Sequence, residues 1–126
     1  VVVDASALAA LVFEEPSTDA VAARLHRAAV YAPTLLKFEL ANTAWKKMRA
    51  ASADRAAILT ALAKALDPRR GIVWHEVHHA DAVLIARRAG ISTYDASYVW
   101  LAGWLGAELV TLDAPLEAAV LALSGV

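Results

Sequence analysis

Four acids stand where carboxylates can do chemistry. Asp4 directly follows an apolar run, Asp113 directly follows another, and Glu39 and Asp95 fall in the first halves of helical patterns. In an open parallel sheet, ligands sit beyond the carboxyl ends of the strands. Asp4 and Asp113 therefore share one edge if their strands are neighbours. Gathered in one pocket, such acids repel each other and stay ionised only if cations neutralise them. The chemistry on offer is divalent-cation binding. Each acid also has an ordinary role open to it. Asp4 suits the N-cap of a helix beginning at Ala5, and Asp113 that of a helix with Pro115 in its first turn. Ser92-Thr93-Tyr94-Asp95 has capping-box spacing, and Glu39 shares a polar helical strip with Asn42, Thr43 and Lys46. For the residues alone, both readings stand.

The elements that must position these acids are written in the pattern. Val1–Val3 predicts a short buried strand. Helical patterns follow over Ala5–Phe13 and Thr18–Ala29, separated at Glu15-Pro16. Val30–Ala32 predicts a second strand, ended by Pro33. Thr34 is placed to cap a helix running to about Ala51, and Ser52 another reaching Leu66, stopped by Asp67-Pro68. Ile72–Trp74 predicts a third strand. Helices follow from about His78 to Ala89 and over Thr93–Leu105, stopped by Gly90 and Gly106. Leu109–Leu112 is the last strand, and a terminal helix follows Asp113. Short apolar strands alternating with helices predict one α/β domain over residues 1–126, with a parallel sheet.

Composition narrows the classes. Hydrophobic residues make up 60% of the 126 and mean hydropathy is +0.49, against roughly 45–50% apolar residues in average usage. Alanine accounts for part of the excess; the rest predicts apolar surface that a partner covers. No apolar stretch reaches the roughly 18 residues of a membrane span, and Asp4 breaks the first apolar run. The expectation is a cytoplasmic protein without a membrane segment. The absence of cysteine excludes disulfides, thiolate zinc sites and cysteine nucleophiles. A net charge of −1 shows no basic excess, so nucleic-acid contact would rest on local patches and bound cations.

Four stretches then combine. Val1-Val2-Val3-Asp4-Ala5-Ser6-Ala7-Leu8, Phe38-Glu39-Leu40-Ala41-Asn42, Tyr94-Asp95-Ala96-Ser97-Tyr98 with Leu101-Ala102, and Leu109-Val110-Thr111-Leu112-Asp113-Ala114-Pro115-Leu116 occur in this order across nearly the whole chain. Together they resemble the ordered motifs of PIN domains, especially VapC-type toxins of bacterial toxin–antitoxin pairs. The resemblance implies a PIN-like three-layer sandwich, a central parallel sheet flanked by helices. It implies that Asp4, Glu39, Asp95 and Asp113 form an acidic metal pocket, with Ser6 and Thr111 orienting carboxylates and Asn42 in support. Leu112 departs from the pattern, standing where the family often has a small residue. An all-oxygen set favours Mg2+ or Mn2+, one or two ions, over zinc, and such ions suit RNA phosphodiester hydrolysis. The resemblance further implies an RNA substrate, a homodimer and a VapB-like antitoxin that blocks the pocket. Lys37, Lys46, Lys47 and Arg49 on one helix, with Arg69 and Arg70, are candidate phosphate contacts; Arg87 and Arg88 fit ordinary solvated charge better.

His75-Glu76-Val77-His78-His79 is a rival signal, because it matches the H-E-x-x-H zinc-protease pattern. Strand-like residues precede it, no motif marks a third ligand, and a distant residue such as Glu108 would have to supply one. A catalytically silent PIN-like binding module is a further alternative, but it would be expected to lose one of the four acids. A phosphoacceptor receiver would need a lysine-bearing strand after Asp113, and none is predicted. Trp45 and Met48, and Trp100 and Trp104, lie at helical spacing and suit core packing, with some left to line an interface.

Overall fold

Val2 and Val3 are fully buried β-branched residues and form β1 (Val2–Val3), one of the two inner strands of the sheet. In the computed structural model, which describes residues 1–123, the strands order as β3-β2-β1-β4 and all pair in parallel. β2 is Val30–Pro33, β3 Ile72–His75 and β4 Leu109–Val110. Val2 aligns with Tyr31 on one side and Leu109 on the other. Parallel strands covered on both faces need apolar residues at consecutive positions, which the doubly buried pairs Val2-Val3 and Leu109-Val110 supply.

The helices are α1 (Ala5–Val12), α2 (Thr18–Leu25), α3 (Leu36–Met48), α4 (Arg55–Leu66), α5 (His79–Ala89), α6 (Thr93–Leu105) and α7 (Ala114–Leu123). α1 to α4 pack on one another, and α5, α6 and α7 form a second group, with α6 against β1, β2 and β4. The α/β sandwich with a central parallel sheet is thus as expected. The core joins Val2, Val3, Leu8, Leu36, Leu40, Leu101, Val110 and Leu116. No described helix is long and apolar enough to cross a membrane. Residues 124–126 of the expected domain lie outside the described residues.

Several expected boundaries move. α3 begins at Leu36 without a side-chain cap, two residues past Thr34, whose N–H donates to the His75 carbonyl at 3.2 Å and ties β2 to β3. α4 is capped by Asp54, which accepts from the Ala57 N–H at 3.0 Å; Ser52 lies in the preceding turn. α2 stops at Leu25, and Arg27 takes a left-handed φ of 59°. β4 is also shorter than expected, since Thr111 leaves the ladder to serve the site below.

Candidate active site

β1 and β4 run side by side in the same direction, so the residues that follow them meet at one edge. The Asp4 N–H donates to the Val110 carbonyl at 3.2 Å and pins the two strand ends together. Asp4 is buried and three donors converge on its carboxylate. Ser6 Oγ donates to Oδ1 at 2.8 Å, the Ala7 N–H donates to the same oxygen at 3.0 Å, and Thr111 Oγ1 donates to Oδ2 at 2.5 Å. Thr111 accepts in turn from the Asp113 N–H at 3.0 Å, and Ser6 accepts from the Leu112 N–H at 3.0 Å. Each hydroxyl has one hydrogen and spends it on Asp4. Their lone pairs then hold the 112–113 backbone, so two small side chains tie the post-β4 loop to the post-β1 acid.

Asp113 also caps α7, accepting from the Leu116 N–H at 3.0 Å. Ser92 caps α6, accepting from the Asp95 N–H at 3.1 Å, and Asp95 sits in the first turn. The capping roles and the shared edge coexist. Burial pushes the Asp95 carboxyl above its usual range, and the charges of Asp113 and Asp4 push it further. Burial is likewise the main cause that raises Glu39, with Asp95 and Asp4 adding repulsion. Asp95 is therefore within electrostatic reach of Asp113 and Asp4, and Glu39 within reach of Asp95 and Asp4. Among the described residues, no lysine, arginine or histidine is ion-paired with any of them.

Tyr98 is a site residue that the sequence reading passes over. It is buried on α6, and its hydroxyl donates to Glu39 Oε1, which opposes the upward pressure on that carboxyl. A tyrosine on the buried face of an apolar helix needs a partner for its hydroxyl; that was the available signal. Tyr98→Phe is expected to move the Glu39 titration further upward and to cost about 1 kcal/mol of stability. Carboxyl 13C NMR titration and urea denaturation measure these, and an unmoved Glu39 would contradict the coupling.

Other expected residues fall differently. Asn42 is exposed and makes no hydrogen bond with Glu39. Lys37, in the first turn of α3, is the nearest of the basic candidates along the helix to Glu39, its Nζ 5.0 Å from the Trp74 ring. Lys46, Lys47 and Arg49 lie about 14–18 Å farther along the axis. Lys47 is paired with Glu15 at 3.5 Å, and Arg49 lies over Trp45. Arg69 and Arg70 precede β3, hence at the amino edge of the sheet, and Arg69 is paired with Asp67. Arg87 and Arg88 lie in the last turn of α5, away from its start at the carboxyl edge.

The zinc-protease pattern does not form. His75 ends β3 and His79 opens α5, so the two share no helical face. His78 is paired with Asp81 at 3.0 Å, and Glu108 is paired with Arg24 before β4, at the opposite edge. A cavity of about 660 Å3 between α1, α2 and α4 is lined by none of the four candidate acids.

Comparison with known proteins agrees with this architecture. The PIN domain family model matches residues 1–120. Ribonuclease VapC3 of Pyrobaculum aerophilum is 35% identical over 118 residues, covering 91% of this chain and 90% of that protein. The crystal structure of PAE2754 from Pyrobaculum aerophilum superposes with a TM-score of 0.76 at 31% identity, covering 94% of this chain and 77% of that one. The sheet order, the paired strand ends and these matches agree: the chain belongs to the PIN-domain family, among proteins of the VapC type.

Proposed function

We propose that this protein is an Mg2+- or Mn2+-dependent endoribonuclease that hydrolyses RNA phosphodiester bonds, the toxin of a VapBC-type pair. The reading rests on one observation above all. Asp4 and Asp113 follow paired strands at the carboxyl edge of the sheet, Asp95 feels the charge of both and Glu39 that of Asp95 and Asp4, and among the described residues none has a cationic partner.

The donor set fits a hard divalent cation, being all oxygen and strongly anionic. No three such side chains among the described residues are drawn together tightly enough to hold an ion as they stand. Asp4, Asp95 and Asp113 would hold the principal ion, and Glu39 a second ion or the proton of the attacking water. Bound cations supply positive charge at the phosphate and a more acidic water. Ser6 and Thr111 fix both oxygens of Asp4, and Tyr98 fixes Glu39. Lys37 is the best placed phosphate contact.

A VapB-like segment and a second copy of the chain are the proposed protein partners. Phe38, Trp45 and Trp104 support a covered surface, since each ring is more than half exposed. RNA cleavage by the wild type, assayed with magnesium and with EDTA, tests the reading. Cleavage in magnesium that EDTA abolishes is expected; cleavage unaffected by EDTA would refute the metal chemistry.

A further inference from the structure

A cavity of about 360 Å3 opens at the carboxyl edge of the sheet, where β2 and β3 end, and has no part in the chemistry above. The segments leaving β2 and β3 and the starts of α5 and α6 build it, with Leu35, Glu76, Val77, Val83 and Tyr94 among its walls. None of the four acids lines it, but two walls are their near neighbours in the chain. Tyr94 directly precedes Asp95, and the Leu35 carbonyl accepts from the Glu39 N–H at 3.2 Å. Its volume lies within the roughly 300–1,000 Å3 of small-ligand pockets.

Two features say what it takes. Tyr94 is 67% exposed, and among the described residues no other ring stacks on it. Ser97 Oγ donates to the Tyr94 carbonyl and ties down the backbone of that turn. An exposed, unstacked aromatic face is what single-stranded RNA bases stack on. Glu76 contributes a carboxylate that makes no hydrogen bond or ion pair among the described residues. A carboxylate only accepts, so it selects a base edge that presents N–H donors. Guanine offers two adjacent ones on its Watson–Crick edge, where adenine and cytosine each place a ring acceptor beside the amino group.

The geometry points to a nucleobase subsite: an unpaired base next to the cut phosphodiester, guanine foremost, stacks on Tyr94 and donates to Glu76. This rests on the nuclease reading and adds to it a base preference at one flanking position, read by Tyr94 and Glu76.

The test uses short RNAs that differ only in the base beside the cleavage point, single-stranded or annealed to a complement. Cleavage in magnesium gives kcat and KM, and fluorescence anisotropy on an Asp4→Asn background gives Kd. Tyr94→Ala is expected to raise KM and Kd for the single strand by about five- to hundredfold, with Tyr94→Phe recovering most of the loss. Glu76→Gln is expected to reduce the preference for guanine over adenine by about tenfold. Unchanged Kd values and an unchanged base preference in both Tyr94→Ala and Glu76→Gln overturn the subsite, whether or not the wild type cuts. A wild type that cuts no RNA while Tyr94→Ala still weakens binding overturns the nuclease reading and upholds the subsite.

Discussion

Asp4→Asn is expected to reduce magnesium-dependent RNA cleavage by at least roughly a thousandfold, about 4 kcal/mol of lost transition-state stabilisation, while the chain stays folded. The substitution keeps shape and one acceptor oxygen but removes the charge. It also puts an amide N–H2 where Ser6, Ala7 or Thr111 now donates, so one of those donors must turn away. The structural cost is of the order of 1 kcal/mol, small beside the loss of the charge. Single-turnover cleavage and a thermal melt on the same sample separate the two effects. Activity within tenfold of wild type would remove Asp4 from the chemistry. Full loss with a melt lowered by only a few degrees is the expected pattern.

The second large effect is on stability without cations. Glu39 and Asp95 titrate above their ordinary values of 4.5 and 3.8 in the folded chain. The folded state therefore holds protons that the unfolded state has already released, and stability falls as pH rises. The loss begins as pH passes the unfolded values and is complete once it exceeds the raised folded ones. Both side chains are partly exposed, so solvent screening keeps the loss modest. At neutral pH, magnesium at a hundred times its Kd adds about 2.7 kcal/mol, an upward shift on the order of 10 °C for a domain of this size. Asp95→Asn removes part of the repulsion. It is expected to raise the metal-free melting temperature by about 2–5 °C, flatten its pH dependence and shrink the magnesium shift. Calorimetry between pH 4 and pH 8, with EDTA or magnesium, reads all three. A metal-free profile that rises with pH would contradict the assigned repulsion.

Which parts of this site could be read from the residues follows from how local their causes are. α6 is legible to its last residue because both ends carry short-range chemistry. Ser92 accepts from the Asp95 N–H, and Gly106 closes the helix at a φ of 61°. α2 carries no such mark at its end, since an arginine rather than a glycine takes the left-handed turn. Thr34 stays outside α3, and its N–H meets the His75 carbonyl forty-one residues away, a contact that no local pattern encodes. The four acids could be proposed, but their meeting depends on β1 lying beside β4. Periodicity does not reveal strand order; only the ordered motifs favoured it. Arg69 and Arg70 illustrate the same limit. Their charge is visible in the sequence, but only the direction of β3 places them at the far edge. The pairing of Tyr98 with Glu39 spans 59 residues and was out of reach for the same reason.

The two-residue β1 has a consequence for biosynthesis. Its inner edge is paired to Val30–Pro33 early, but its other edge waits for Leu109 and Val110. Thr111, the donor to Asp4 Oδ2, lies 107 residues downstream of that acid. A ribosome partway through this message thus carries a chain whose acidic edge lacks one wall. That edge is completed only after β4 has cleared the exit tunnel and paired with β1.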